Sequence, residues 1–325
     1  MNRSRNKNQR VHARKLAVLS LLVLGVALLY LFLNVNMKYF DYAMRIRIPK
    51  LAVMLVTAFC IGGASIIFQS IINNTIVTPC LLGMNSLYAL IHTAVVFFFG
   101  STSLLARSAN LSFAADLVLM GIIATVIYSW LFQKTRHNVL YVLLAGTVMS
   151  TFFTSMQTTL TRIMDPNEYD SLLASLVASF SNINTGIIFF SLVLIASLLY
   201  VLRNELALLD VITLGKEQAV SLGVDYDKTV RRLLLGVTLF IAIATAMVGP
   251  ISFLGLIIAN LSRQLFRTFR HTYLIVGSAH IGMVILVGGQ LIVEHVFTYG
   301  VPVSVFITVG GGIYFLYLLL RVRRT

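Results

Sequence analysis

Few residues in this chain have the types and spacing that covalent chemistry requires. Its Gly-Lys pair, Gly215–Lys216, lacks the first glycine of a phosphate-binding loop, because Asp210 stands where GxxxxGK[ST] needs Gly. Histidines and cysteines are scattered among apolar segments without metal-ligand spacing: His92, His280, His295, Cys60 and Cys80. The sequence therefore predicts no catalytic residue, no metal site and no cofactor bound by the chain itself.

Uncharged polar residues suggest chemistry of a different kind, the weak binding of a polar solute. Gln69, Asn73, Asn74 and Asn85 flank a proline-containing break between two apolar segments. Gln69 and Asn73 are four residues apart and so share one helix face. We interpret the four residues as candidates to line a translocation path. The alternative at each position is a hydrogen bond between packed helices.

The elements that would position these residues are set by composition. The chain has 325 residues, of which 58% are hydrophobic and 11% charged, whereas soluble domains carry roughly 25% charged residues. A bilayer removes the need for a charged surface. The net charge of +14 falls between apolar runs instead of forming a basic stripe, which argues against nucleic-acid binding.

Ten apolar segments predict an all-α, polytopic membrane protein that forms one transmembrane domain over residues 1–325. Their lengths suit helices, and they lack the alternation of barrel strands. Acidic residues are nearly absent from them, which disfavours an ion-coupled carrier. The segments are 16–33, 51–72, 81–99, 114–132, 139–158, 185–202, 232–248, 252–266, 273–293 and 302–320.

Charge placement predicts how the chain crosses the membrane. With ten spans, 19 of the 25 Lys and Arg residues fall on the side of the termini and six on the other. Because Lys and Arg concentrate in cytoplasmic segments, both termini are predicted to be cytoplasmic.

Two connections and one charged cluster are predicted to do more than join helices. The exterior stretch 161–184 could form a short surface helix, and the cytoplasmic loop 203–231 should hold a short helix between Gly215 and Gly223. Arg45, Arg47 and Lys50 cluster on the predicted exterior side. That cluster indicates either interfacial anchoring or a docking site for an acidic partner, and we favour docking.

Four motifs, in order and at fitting separations, resemble the FecCD family of ATP-binding-cassette permeases. Residues 47–86 resemble the family's R-x-P-R start of the second helix, followed by its N-P-L-x-x-P-x-x-L-G segment. Residues 212–224 resemble its L-G-x-x-x-A-x-x-L-G cytoplasmic loop. Residues 249–265 and 301–320 resemble its G-x-I-x-F-x-G-L-x-x-P-H-x-x-R and closing L-P-x-G-x-x-T-x-x-x-G-x-P-x-F helices.

The resemblance implies a ten-helix bundle like that of the cobalamin importer permease, located in the bacterial cell (inner) membrane, and import of a ferric siderophore. It also implies the partners: a second permease subunit, identical or paralogous, two cytoplasmic ATPases that use ATP and Mg, an extracytoplasmic siderophore-binding protein, and membrane lipid. It assigns ATPase coupling to Gly215, Lys216, Glu217, Gln218, Ala219, Leu222 and Gly223, and binding-protein docking to Arg47 and Lys50.

The chain departs from the family pattern at several places. Lys50 replaces the usual Arg, which keeps the charge and loses the bidentate fork. Thr75 stands where Pro is usual, and Ala259–Asn260 where Pro-His is usual, so helix kinks could differ. The alternatives are a haem or cobalamin importer permease or, in a different class, a stand-alone secondary carrier or channel.

Overall fold

The computed structural model describes residues 2–100, 103, 108–135, 139–178, 180, 185–297 and 301–322. Within these ranges the regular structure is helical, with thirteen α-helices and two short 3₁₀-helices, Met37–Tyr39 and Pro79–Leu82. The α-helices are α1 Asn2–Phe32, α2 Phe40–Ile72, α3 Met84–Phe99, α4 Ala109–Lys134, α5 Val139–Ile163, α6 Pro166–Leu176, α7 Thr185–Val201, α8 Arg203–Ile212, α9 Lys216–Ser221, α10 Tyr226–Val248, α11 Leu254–Phe266, α12 His271–His295 and α13 Val303–Val322.

The all-α architecture predicted from the sequence is confirmed. Apart from a few terminal residues, the ten predicted segments lie in α1 to α5, α7 and α10 to α13. Over the described residues, five helices are long and apolar enough to cross a membrane, and six if the pair α7–α8, bent by 58°, counts as one span. The count of ten therefore depends on including shorter apolar helices such as α3, α11 and α13.

The centre of the bundle is α2, which packs most extensively against α12 and α10. In the most apolar 18-residue stretch of α2, 78% of the residues are buried, against 11% in the corresponding stretch of α1. Helix α1 lies on the outside of α12, where Ser20 bonds His280, and Lys15 Nζ donates to the carbonyl of Leu265 in α11. An apolar helix left this open to its surroundings suits contact with lipid.

The bundle has two ends, which we name by the short helices that lie there. At the α9 end, α8 contacts the first residue of α12 through Asp210 and His271. At the α6 end, Ser304 of α13 donates to the carbonyl of Ala178, just after α6. Helix α12 runs between the two ends, since it begins at His271 and ends at His295.

The structure differs from the sequence prediction mainly at helix starts. Helix α2 begins at Phe40 and contains Pro49, so the RIRIPK stretch that we predicted as a connection is helical. Helix α8 was not predicted, because its charged residues made the segment look like a loop. The predicted helix in 161–184 is present as α6, while residues 181–184 and Arg107 lie outside the described residues.

Candidate functional site

One face of α5 carries polar side chains along its C-terminal half. Ser150, Thr151, Thr154, Ser155, Thr158, Thr159 and Arg162 line an open groove of about 500 Å³. We call these seven residues the hydroxyl face. Their three- and four-residue spacing places them along one side of the helix. A helix surface of this kind offers oxygen acceptors and one cation, without a carboxylate among the lining residues.

The threonine hydroxyls of this face bond back to their own helix. Thr154 Oγ1 donates to the Ser150 carbonyl at 2.9 Å, and Thr158 Oγ1 donates to the Thr154 carbonyl at 2.8 Å. Such bonds satisfy the hydroxyl protons and leave oxygen lone pairs facing outward. The face can therefore offer many weak contacts to a polar solute without holding it tightly.

An apolar flank lies beside the hydroxyl face on the same helix. Val148, Phe152, Met156 and Ile163 are exposed large apolar side chains. Lipid can cover this flank at no cost, whereas a hydroxyl- and arginine-bearing surface is more costly to place against hydrocarbon. The exposed side of α5 is thus divided into an apolar surface that suits lipid and a polar surface that suits a polar solute or a protein partner.

The break between α2 and α3 brings a further hydroxyl to this face. Gly83 adopts φ +92°, and α3 begins directly after it. Ser86 Oγ in the first turn of α3 lies 2.9 Å from Ser150 Oγ and 3.3 Å from Thr154 Oγ1. The polar surface of α5 therefore continues onto the start of α3.

The four residues that we predicted to line the path do not form one surface. Gln69 is buried, donates Nε2 to the Thr75 carbonyl at 2.7 Å and accepts from Arg263 at 3.2 Å. Asn73 ends α2 at φ 52°, and Asn74 accepts from the backbone of Ile76.

Asn85 Nδ2 donates at 3.3 Å to the Oγ of Ser252, a residue in the connection between α10 and α11. Gln69, Asn74 and Asn85 make contacts that shape the break and its packing, and a role in the path stays a prediction. The hydroxyl face was missed, although its signal, Ser and Thr recurring every three or four residues over 150–159, is visible in the sequence.

The predicted short helix between two glycines is confirmed as α9. Gly215 and Gly223 take φ of +101° and +82°, the region that glycine adopts without strain. Ala219 is buried and anchors α9 to the bundle. Lys216 pairs with Asp227 at 2.8 Å.

Apolar side chains are exposed on and around α9. Leu222 is 64% exposed, Leu214 55% and Val220 54%, and Glu217 and Gln218 are exposed beside them. An exposed apolar cluster rimmed by polar residues is typical of a protein-binding surface. We call Leu214, Val220 and Leu222 the α9 apolar patch.

Glu205 fixes α8 beside this patch. Arg232 of α10 donates to Glu205, a contact within hydrogen-bonding distance that ties the two helices together. This hydrogen bond holds the pKa of the Glu205 carboxyl below its ordinary value, since it favours the charged form. The carboxylate therefore stays ionised at neutral pH, and the α8–α10 contact keeps its charge assistance.

A model of the FecCD transport family matches residues 13–321, nearly the whole chain. The chain belongs to the FecCD transport family. The resemblance inferred from its motifs is confirmed, and the chain is an integral membrane permease.

Curated relatives and a solved structure agree with this assignment. The chain is 40% identical over 303 residues to the petrobactin import system permease protein YclO of Bacillus subtilis (strain 168), covering 93% of this chain and 96% of that one. It is 35% identical to the petrobactin import system permease protein FatC of Bacillus anthracis, covering 85% of this chain and 78% of that one. It shares its fold with the inward-facing structure of a putative metal-chelate type ABC transporter, at a TM-score of 0.80 and 22% identity, covering 95% of this chain and 99% of that one.

Arg47 and Lys50, the docking residues expected in a FecCD permease, have partners within the chain. Arg47 Nη1 donates to the carbonyls of Tyr30 at 2.9 Å and Leu33 at 2.8 Å, at the end of α1, where helix carbonyls lack a partner one turn ahead. Lys50 is 8% exposed and lies 3.9 Å from Glu294.

Glu294 is the centre of a buried cluster at the α6 end of this FecCD chain. Its Oε1 accepts from Tyr30 Oη at 3.2 Å and from Gln290 Nε2 at 2.9 Å, in addition to the ion pair with Lys50. The cluster joins α1, α2 and α12. Lys38 and Arg45 are exposed cations on the neighbouring stretch. A docking role for this end stays a prediction, and the cations accessible to a partner are Lys38 and Arg45, whereas Lys50 is buried.

Proposed function

We propose that this FecCD chain is the membrane-spanning permease subunit of an ATP-binding-cassette importer, and that it translocates a ferric siderophore. Two relatives of 40% and 35% identity are named as petrobactin import permeases, which supports a siderophore as the cargo. The distribution of Lys and Arg supports a cytoplasmic α9 end and an extracytoplasmic α6 end.

The observation that carries a transport function is the hydroxyl face of α5. A row of hydroxyls that reaches Arg162 lies on the outside of the chain, beside a flank that suits lipid. A second permease subunit, identical or paralogous, would cover this face and leave a polar path between the two subunits. The cargo would then pass over weak oxygen contacts, which suits release as well as entry.

Two further surfaces support the proposed partners. The α9 apolar patch suits a cytoplasmic ATPase, which would supply the site for ATP and Mg. At the opposite end, the exposed Lys38 and Arg45, near Arg47 and Lys50, suit an acidic surface on an extracytoplasmic binding protein. In this proposal the buried Lys50 holds the docking end together, and the exposed cations make the contact.

A bulky residue on the hydroxyl face tests the path. We expect Thr158→Trp to lower uptake of a radioactive ferric chelate at least tenfold, because an indole at an exposed position would fill the groove without disturbing the core. Met156→Trp, on the apolar flank, is the matched control and should retain uptake, since its side chain lies outside the groove. Equal uptake by both variants, at equal amounts of protein in the membrane, would remove the hydroxyl face from the path.

The alternative functions differ from a siderophore importer in their cargo or in their need for an ATPase. A haem or cobalamin importer would use the same fold and ATPase, so only a comparison of cargoes separates it from a siderophore importer. A stand-alone carrier or channel would need no ATPase, and the α9 apolar patch would then have no partner to bury it.

A further inference from the structure

The first residue of α12 is bound twice by a single aspartate. The backbone N–H of His271 donates to Asp210 Oδ1 at 2.9 Å, and the Nδ1 of its ring contacts the same oxygen. The His271 ring is 5% exposed and the Asp210 side chain 41%. One carboxylate oxygen therefore fixes both the start of α12 and the orientation of a buried ring.

Asp210 lies on α8, the helix that leads into α9. Thr213 and Gly215 follow it within five residues, and Gly215 begins the turn that starts α9. Helix α8 is itself tied to α10 by Glu205 and Arg232. A displacement of α9 by a partner would therefore reach α12 through Asp210, as well as α10 through Glu205.

Helix α12 extends from this contact to the other end of the bundle. Its 25 residues span about 37 Å at the usual rise per residue. It packs along α2 and α1, and Gln290 and Glu294 in its last turns belong to the buried cluster with Tyr30 and Lys50. Helix α12 is thus held by polar contacts at both ends, at His271 and at Glu294.

We propose that Asp210 and His271 are positioning residues that transmit the movement of α9 to α12, and through α12 to the Glu294 cluster at the opposite end. In this arrangement the ATPase side and the docking side of the permease are linked by one helix. Neither side chain touches the cargo. Removing the Asp210 acceptor should leave α9 able to bind its partner but unable to move α12 with it.

This inference rests on the proposed binding of an ATPase at α9. The test uses the whole transporter, the permease co-expressed with its ATPase and binding protein and reconstituted in liposomes. Uptake of radioactive ferric petrobactin and release of inorganic phosphate are measured together. We expect Asp210→Ala to lower the uptake per ATP hydrolysed at least fivefold, with the amount of ATPase that co-purifies unchanged.

The conservative variant separates positioning from general loss of structure. Asp210→Asn keeps an oxygen that can accept from both donors of His271, so it should retain most of the coupling. Asn204→Ala, on an exposed position of the same helix, is the control and should couple as the wild type does. If Asp210→Ala lowers the folded yield, His271→Phe removes the ring contact and keeps the backbone bond.

The outcomes distinguish this inference from the function beneath it. Normal uptake per ATP in Asp210→Ala or in His271→Phe would overturn the role of this contact. Failure of Asp210→Asn to restore coupling would also overturn it, because the acceptor would then not be what matters. A wild-type permease that takes up the chelate without any ATPase would instead overturn the proposed function.

Discussion

Replacing Leu222 by aspartate is expected to abolish ATP-driven uptake while leaving the permease folded. Leu222 is 64% exposed in the free chain, so a charge there is solvated and costs the fold little. Once an ATPase covers the α9 apolar patch, the same charge would be buried without a partner, at a cost of about 3 kcal/mol, which is on the order of a hundredfold in affinity. Co-purification of the ATPase with the solubilised permease measures this directly.

The control for this prediction keeps the apolar volume. Leu222→Met should retain both the ATPase and the uptake, because methionine fills similar space and adapts its shape. If Leu222→Asp still retained the ATPase at wild-type affinity, α9 would not be the contact surface, and the assignment of residues 215–223 to coupling would fail with it.

Replacing Gly83 by alanine should lower the stability of the permease. Gly83 has φ +92°, and a Cβ there would lie 3.0 Å from the Cα of Ser150, a backbone atom that cannot move aside alone. A non-glycine residue at this positive φ and an overpacked Cβ contact each cost about 1–3 kcal/mol. The melting temperature of the detergent-solubilised permease should fall, and uptake should fall with it, since Ser86 and Ser150 would separate.

Gly25 provides the matched comparison within the same chain. A Cβ at Gly25 meets no atom within 4 Å, and the residue lies in the interior of α1. Gly25→Ala should therefore leave the melting temperature unchanged or raise it slightly, because alanine favours the helix. A melting temperature for Gly83→Ala equal to that for Gly25→Ala would show that the close approach of α3 to α5 is not a tight one.

Features that depend on neighbouring residues in the sequence were predicted more accurately than features that depend on contacts between distant segments. Helix α9 was predicted correctly because two glycines, nine positions from first to last, bracket a run of helix-forming residues, and that signal is local. The helical class was also predictable, since apolar composition and the absence of alternation leave few structures that can span a bilayer.

The partners of charged and polar side chains were not predictable in the same way. Arg47 was interpreted as an exterior cation, but it reaches back 14 to 17 residues to the carbonyls that end α1. Gln69 bonds Arg263 across 194 positions, and Asp210 bonds His271 across 61. Such contacts depend on how helices pack, which a single sequence does not reveal.

The hydroxyl face was missed for another reason. The predicted path consisted of Gln and Asn side chains, whereas Ser and Thr also occur in helices whose hydroxyls simply bond to the carbonyl one turn back. The spacing of Thr151, Thr154 and Thr158 on one side of α5 was the available signal. Only the exposure of that side in the structure distinguishes it from a buried packing face.

Uptake of radioactive iron by a deletion strain and its complemented parent is the most direct test of the central claim. Iron would be supplied as ferric petrobactin and as a panel of other siderophores, with haem and cobalamin as further cargoes and with ATP depletion as the control. We predict that uptake of one siderophore is lost in the deletion strain, is restored by the gene, and stops when ATP is depleted. Uptake that depends on the gene and continues without ATP would contradict the assignment to an ATP-driven importer, and loss confined to haem or cobalamin would contradict the cargo.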